Sequence, residues 1–220
     1  MSHQESHTLD VRSYRLTNID MMRGLVIIIM AIDHVRDYFF FAGSGISVSD
    51  PAIDAGFYFT RWITHFCAPV FVFLAGTSVG LMSERRPKNE LAKFVFKRGL
   101  WLIFCEVVII STALSFSPTG MAPFGGATLA FLQVLFAMGV SMVVLSGALY
   151  LGIRNCFIIG AVIMLGHNLL DPIWPMSAPF GDGSEPMWAA LHSPTTIILK
   201  PFYLVVMYPP LAWVGIMLMG

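Results

Sequence analysis

Long apolar runs separated by short polar connections dominate the chain, and most of the runs are about as long as a bilayer is thick. A spanning α-helix needs about 20 mostly apolar residues. Six segments follow that pattern, at 23–41, 57–82, 99–116, 128–150, 156–170 and 197–219, and the fifth is the shortest. The connections between them, such as Ser117-Pro118-Thr119-Gly120 and the stretch 171–196, are rich in Gly, Pro, Ser and Asp. Those are turn and loop compositions. The pattern predicts an all-α, polytopic transmembrane helix bundle at 23–220, preceded by a polar N-terminal segment at 1–22. That segment is too long and polar for an ordinary signal n-region, and the run after it contains charges and lacks a small-residue cleavage site, so the first helix is expected to be retained. Val214 to Gly220 are still apolar with no polar segment after them, so the bundle is expected to be incomplete at its C-terminus.

Composition agrees. The 220 residues are 56% hydrophobic and 12% charged, against about 45–50% apolar and 25% charged in soluble domains. A soluble domain of this size would need a charged skin; lipid removes the need. The formal net charge is zero, with no acidic or basic tail, which argues against a nucleic-acid partner. Cys67, Cys105 and Cys156 lie in apolar runs without a CxxC spacing and read as small buried hydrophobes.

Charge also orients the bundle. Arg12, Arg15 and Arg23 precede the first helix, while Arg85, Arg86, Lys88, Lys93, Lys97 and Arg98 lie between the second and third. Arg154 separates the fourth from the fifth, and loops 42–56, 117–127 and 171–196 hold no Lys or Arg. Positive-inside bias puts the N-terminus and the basic loops in the cytoplasm. The basic loop itself reads as a topology determinant.

Against this background the charges within the helices stand out, since each costs roughly 2.5–3.5 kcal/mol on insertion scales unless it faces protein or a wet cavity. The first helix carries Asp33, His34, Arg36 and Asp37. Arg23 and His34 are eleven positions apart, which at 3.6 residues per turn puts them on one face, separated by about 16 Å along the axis. Asp37 lies one turn beyond His34, where it can orient the imidazole, and Arg36 can pair with Asp33 three positions earlier. Arg61 and His65 share a face of the second helix, Pro69 is expected to kink it, and Glu106 stands in the third, where its natural partner would be a base on helix one or two. Gln133, His167, Asn168 and Lys200 are weaker polar candidates toward the outer side, and His192 reads as a solvated loop residue. No His, Cys or carboxylate spacing marks a zinc site, and no metal is expected.

Two blocks carry a resemblance. The stretch from Arg15 to Gly24, followed by an apolar run ending in Asp33-His34-Val35-Arg36-Asp37, resembles the opening of the heparan-α-glucosaminide N-acetyltransferase-like membrane family. Phe59 to Ser78 is similar to the second helix of its bacterial members. Arg23 and His34 also fit the Arg, ten residues, His pattern of the wider transmembrane acyltransferase group, in which the His is held to be catalytic and the Arg to serve the acyl donor. The resemblance implies a multi-pass enzyme of a bacterial inner (plasma) membrane. It would move an acyl group, acetyl above all, from cytoplasmic acyl-CoA as co-substrate to a hydroxyl or amine of a carbohydrate acceptor on the outer side. On that reading His34 is the base, with Asp37 fixing its tautomer, and Arg23 binds donor phosphates. Asp33, Arg36, Arg61, His65 and Glu106 form the acceptor or supporting polar site. Two other functions use the same residues. A small-solute or ion transporter would run its pathway along the intramembrane charges and predicts repeated halves, which the sequence does not display. A structural or receptor-like membrane protein would use the charges only to pair helices.

Overall fold

The computed structural model describes residues 3–39, 54–115, 128–173, 187–199 and 202–220. The chain divides into two compact units, residues 1–74 and 75–220.

The first unit holds α1 (His3–Phe39), α2 (Ala55–His65) and the start of α3 (Cys67–Ser83). Helix α1 takes in most of the polar segment 1–22, because no Gly or Pro interrupts the sequence before Gly24. Asp54 starts α2: its carboxylate accepts from the amides of Gly56 at 2.8 Å and Phe57 at 3.3 Å, which satisfies N–H groups that an N-terminus leaves without helical partners. The expected kink falls at Phe66, between α2 and α3. Pro69 lacks an N–H and its ring crowds the carbonyl four residues back, that of His65, the last residue of α2.

In the second unit, α4 (Lys88–Phe104) continues through a π-helical segment, Cys105–Ile110, into α5 (Ser111–Ser115). Strand β1 (Thr128–Leu132) leads into α6 (Val134–Ala148), and α7 (Ile153–Gly166) ends in a 3-10 turn, His167–Leu170. A second 3-10 turn at Met187–Leu191 precedes β2 (Thr195–Leu199), β3 (Phe202–Val206) and α8 (Pro210–Met219). The strands form one sheet in the order β1-β3-β2, with β1 parallel and β2 antiparallel to β3.

The strands correct two expected helix starts, at 128 and 197. Apolar runs this short look alike to a periodicity argument whether helical or extended. For β2 and β3 the strand preference comes from the β-branched content of Thr195-Thr196-Ile197-Ile198 and Val205-Val206, bounded by Pro194, Pro201 and Pro209-Pro210, and β1 is extended as the parallel partner of β3. The third predicted helix, in turn, starts earlier than expected, at Lys88, because Leu91, Ala92, Val95 and Gly99 form a buried stripe through the basic stretch.

Among the described residues, three helical stretches are long and apolar enough to cross a membrane: Ala55–Ser83, Val134–Leu151 and Ile153–Leu170. Pro210–Met219 is a shorter apolar helix. Val162, Leu165 and Leu169 project into open surroundings, as lipid-facing side chains do. This is a helical membrane protein.

Glycines set how closely the second unit packs. A Cβ on Gly99 of α4 would lie 2.7 Å from the carbonyl oxygen of Gly139 on α6, and one on Gly139 would lie 2.7 Å from that of Gly99. Helix α7 meets α8 in the same way, a Cβ on Gly160 falling 2.7 Å from the Gly215 oxygen. With no hydrophobic drive between helices in lipid, such close backbone approach supplies the van der Waals attraction that holds them. Gly99→Val should therefore lower stability by about 1–3 kcal/mol, read as a drop in the melting temperature of the detergent-solubilised protein. Gly147→Ala on α6, where an added Cβ meets nothing within 4 Å, should leave it unchanged or raised. Equal melting of Gly99→Val and the unaltered protein would refute the close-packed seam.

Candidate functional site

In the first unit one carboxylate gathers donors from two helices. Asp33 on α1 accepts from Thr64 Oγ1 at 2.7 Å and from Arg61 at 3.4 Å, both on α2, and from Arg36 one turn along its own helix. Arg61 and Thr64 are three apart, so α2 presents both to α1 on one face. The Arg36 side chain is 9% exposed, and its guanidinium lies 5.3 Å from the centre of the Phe57 ring. The expected Asp33–Arg36 pair is present, and Arg61 joins it. Thr64, which drew no attention in the sequence, is buried at the centre of the cluster. Its signal was the spacing from Arg61.

The other candidates on these helices are placed differently. Arg23 is half-buried; it donates to the Leu74 carbonyl at 3.3 Å and stands 3.5 Å from the Asp20 carboxylate. His34 and His65 are exposed, and neither side chain makes a hydrogen bond to another described residue. Helix α1 is unbroken from Arg23 to His34, so the helical spacing between them holds. The Asp37 backbone belongs to α1, while its side chain lies outside the described residues, as does Lys200.

Glu106 belongs to the second unit and is 1% exposed. Its partners there are backbone amides. One carboxylate oxygen, Oε2, accepts from the N–H groups of Leu135 at 3.0 Å and Phe136 at 3.2 Å. These open helix α6, whose own N-cap residue, Gln133, supplies no side-chain bond. A carboxylate at a helix N-terminus satisfies stranded donors and faces the positive end of the helix dipole. The π-helical segment makes this reach possible. The Ser111 amide bonds back to Glu106 O, and the Ser111 hydroxyl donates to the same oxygen at 2.9 Å while accepting from Phe131 N at 2.9 Å. Glu106 thus tethers α6, and Ser111 tethers β1, to one helical turn.

His192 is not solvated as expected. Its side chain is 5% exposed, and Nε2 lies 2.8 Å from the carboxylate of Asp171, itself 51% exposed. The His167 ring stands 5.8 Å from it, centre to centre. Asp171 and His192 are 21 residues apart, and no local spacing signals the contact. Among the described residues no group of three or more His, Cys, Asp and Glu is placed to hold a metal ion.

The family model described as heparan-alpha-glucosaminide N-acetyltransferase, catalytic, matches residues 15–220, nearly the whole chain. The chain belongs to this family. The match extends the resemblance from the first two helices through the sheet and α8. A helical membrane protein with the catalytic domain of an N-acetyltransferase has an activity of acetyltransferase type. No curated protein and no solved structure matches the chain.

The Asp33 cluster is testable by subtraction. Asp33→Ala leaves the little-exposed Arg36 without this carboxylate and should cost about 3 kcal/mol. Thr64→Val, which removes one hydroxyl donor, should cost about 1 kcal/mol. Thermal melts in detergent order the two variants, and an Asp33→Ala protein as stable as Thr64→Val would show that the ion pairs contribute little.

Proposed function

We propose that this acetyltransferase carries an acetyl group across the membrane, from acetyl-CoA in the cytoplasm to a hydroxyl or amine of a carbohydrate on the outer side. The family match over residues 15–220 carries the reading. The basic residues of the N-terminal segment, of 85–98 and of Arg154 support a cytoplasmic N-terminus, in a bacterial inner membrane.

The chemistry divides along α1. Arg23, toward the cytoplasmic end, holds the phosphates of the donor. His34, about 16 Å further along the axis, takes the proton that the acceptor sheds as the new bond forms, and Asp37 orients its ring. A neutral imidazole has the basicity for this near pH 7. The Asp33–Arg36–Arg61–Thr64 cluster fixes α1 against α2, so that His34 is held on a rigid element. Arg61, one-third exposed, is suited to stabilise the oxyanion that develops on the thioester carbonyl. Glu106 acts one step removed, holding the start of α6.

Purified protein in proteoliposomes, given acetyl-CoA and an amino sugar, should release free CoA thiol and form acetylated sugar. His34→Ala should lower kcat by about 10²-fold or more, and Arg23→Ala should raise KM for acetyl-CoA with a smaller effect on kcat. Undiminished turnover in His34→Ala would remove that residue from the mechanism, and ion flux without thiol release would favour a transporter.

A further inference from the structure

We propose that the second unit holds one anionic phospholipid in a groove at its basic end. The phosphodiester sits on Lys88 and Arg154, and an acyl chain lies along the apolar wall beneath them. None of the residues assigned to acyl transfer takes part, so the site stands apart from that reading.

The groove has a volume of about 760 Å³, within the range of roughly 300–1,000 Å³ that holds a single ligand. Val79, Leu145, Leu149, Phe157, Met217 and Leu218 make its wall apolar. Two glycines of α3 give it a taper. A Cβ on Gly76 would collide with the carbonyl oxygen of Met217, so α3 and α8 touch there through their backbones. One turn further along α3, a Cβ on Gly80 would meet only the Gly220 oxygen, at 4.0 Å. The two helices therefore part toward the end of α3, and the space between them widens toward a charged rim.

That rim is where helices end. Helix α3 stops at Ser83, α4 starts at Lys88, and the chain turns through Gly152 into α7. The Tyr150 hydroxyl donates to Asn89 Oδ1 at 2.9 Å, which ties the start of α4 to this turn. Lys88 and Arg154 both line the groove and are exposed. Neither side chain makes an ion pair or hydrogen bond to another described residue. Each stands in the first turn of its helix, where the positive end of the dipole disfavours a cation. A phosphate at this rim is attracted by both side chains, and by first-turn amides of α7 that have no side-chain cap. Glu84 also lines the groove. With Lys88 and Arg154 it leaves one net positive charge, which a singly charged headgroup matches, and its carboxylate can accept from a headgroup hydroxyl.

The surroundings favour a lipid over a soluble anion. Ile158 of the groove wall shares a face of α7, at helical spacing, with Val162, Leu165 and Leu169, and all four are exposed. Helix α7 belongs to a stretch long and apolar enough to span a membrane, so a tail can pass from the bilayer into the groove without crossing water. Basic pockets between spanning helices on the cytoplasmic side bind anionic headgroups in this way. A charge that serves only as a topology signal needs no apolar groove beneath it.

The test is native mass spectrometry of the full chain in detergent, with phosphatidylglycerol, phosphatidylethanolamine and phosphatidylcholine at equal concentration. Thermal melts report folding. One phosphatidylglycerol should stay bound per chain, about 5-fold or more tightly than either other lipid. Lys88→Gln and Arg154→Gln should each weaken it about 5-fold. Lys97→Gln removes the same charge about 13 Å along α4 from Lys88, beyond the Debye length of about 8 Å, and should weaken it less than about 2-fold. Gly80→Leu fills the groove with the charges intact and should abolish retention. If that variant does not fold, the substitutions of the exposed Lys88 and Arg154 decide. Equal retention of the three lipids, equal losses in Arg154→Gln and Lys97→Gln, or unchanged binding in a folded Gly80→Leu protein would overturn the assignment. Displacement of the lipid by acetyl-CoA or glycerol 3-phosphate would also overturn it, by making the rim a site for a soluble phosphate.

Discussion

An ionised side chain surrounded by hydrocarbon has no water to bind, so its hydrogen-bond partners must come from the protein. The same need for partners holds for carboxyl groups buried in protein, and two in this chain meet it in different ways. Asp33 draws a hydroxyl and two guanidinium groups from α1 and α2. Glu106 draws amides from the opening turn of α6. In each case the solution also fixes a helix. The Asp33 cluster sets the face that α2 turns to α1, and Glu106 sets where α6 begins relative to the π-helical turn. The charges that make insertion costly are also among the contacts that fix each unit.

The same scarcity of water explains the rest of the second unit. Lipid is as apolar as leucine, so burying apolar surface does little to bring helices together. Close backbone contact at Gly99–Gly139 and Gly160–Gly215 takes over that role. Among the described residues, the extended segments β1, β2 and β3 pair into one sheet, in which β3 is hydrogen-bonded on both sides. Leu132, Ala190 and Val206 form the small core beneath that sheet, with Val107 and Phe136 packed against it.

Much of this was legible in the sequence, and the misses have physical causes. Apolar run length and the shortage of charge gave the helical membrane class. The i,i+3 rule paired Asp33 with Arg36, and Pro69 foretold the break near Phe66. The strands at 128 and 195 were hidden because a five-residue apolar run carries no period of its own. The partners of Glu106 were hidden because backbone amides at a helix start leave no mark in residue identity. The sequence suggested a basic side chain for a role that α6 fills. Asp171 and His192 were hidden for a third reason: their contact joins two turns that only the fold brings together, and each residue alone sits in a loop-like composition.

The division of α1 into satisfied and unsatisfied polar groups bears on what the helix is for. If its charges served only to pair helices, each should end in a partner. Asp33 and Arg36 do. The side chain of His34, their immediate neighbour, is exposed and makes no hydrogen bond to another described residue. Under the proposed function an acceptor sugar comes to His34 during acetyl transfer, a use that helix pairing does not supply. The cluster beside it then has a second consequence. By joining α1 to α2 through Asp33, it holds the helix that carries His34, a preorganisation that the proposed proton transfer would use.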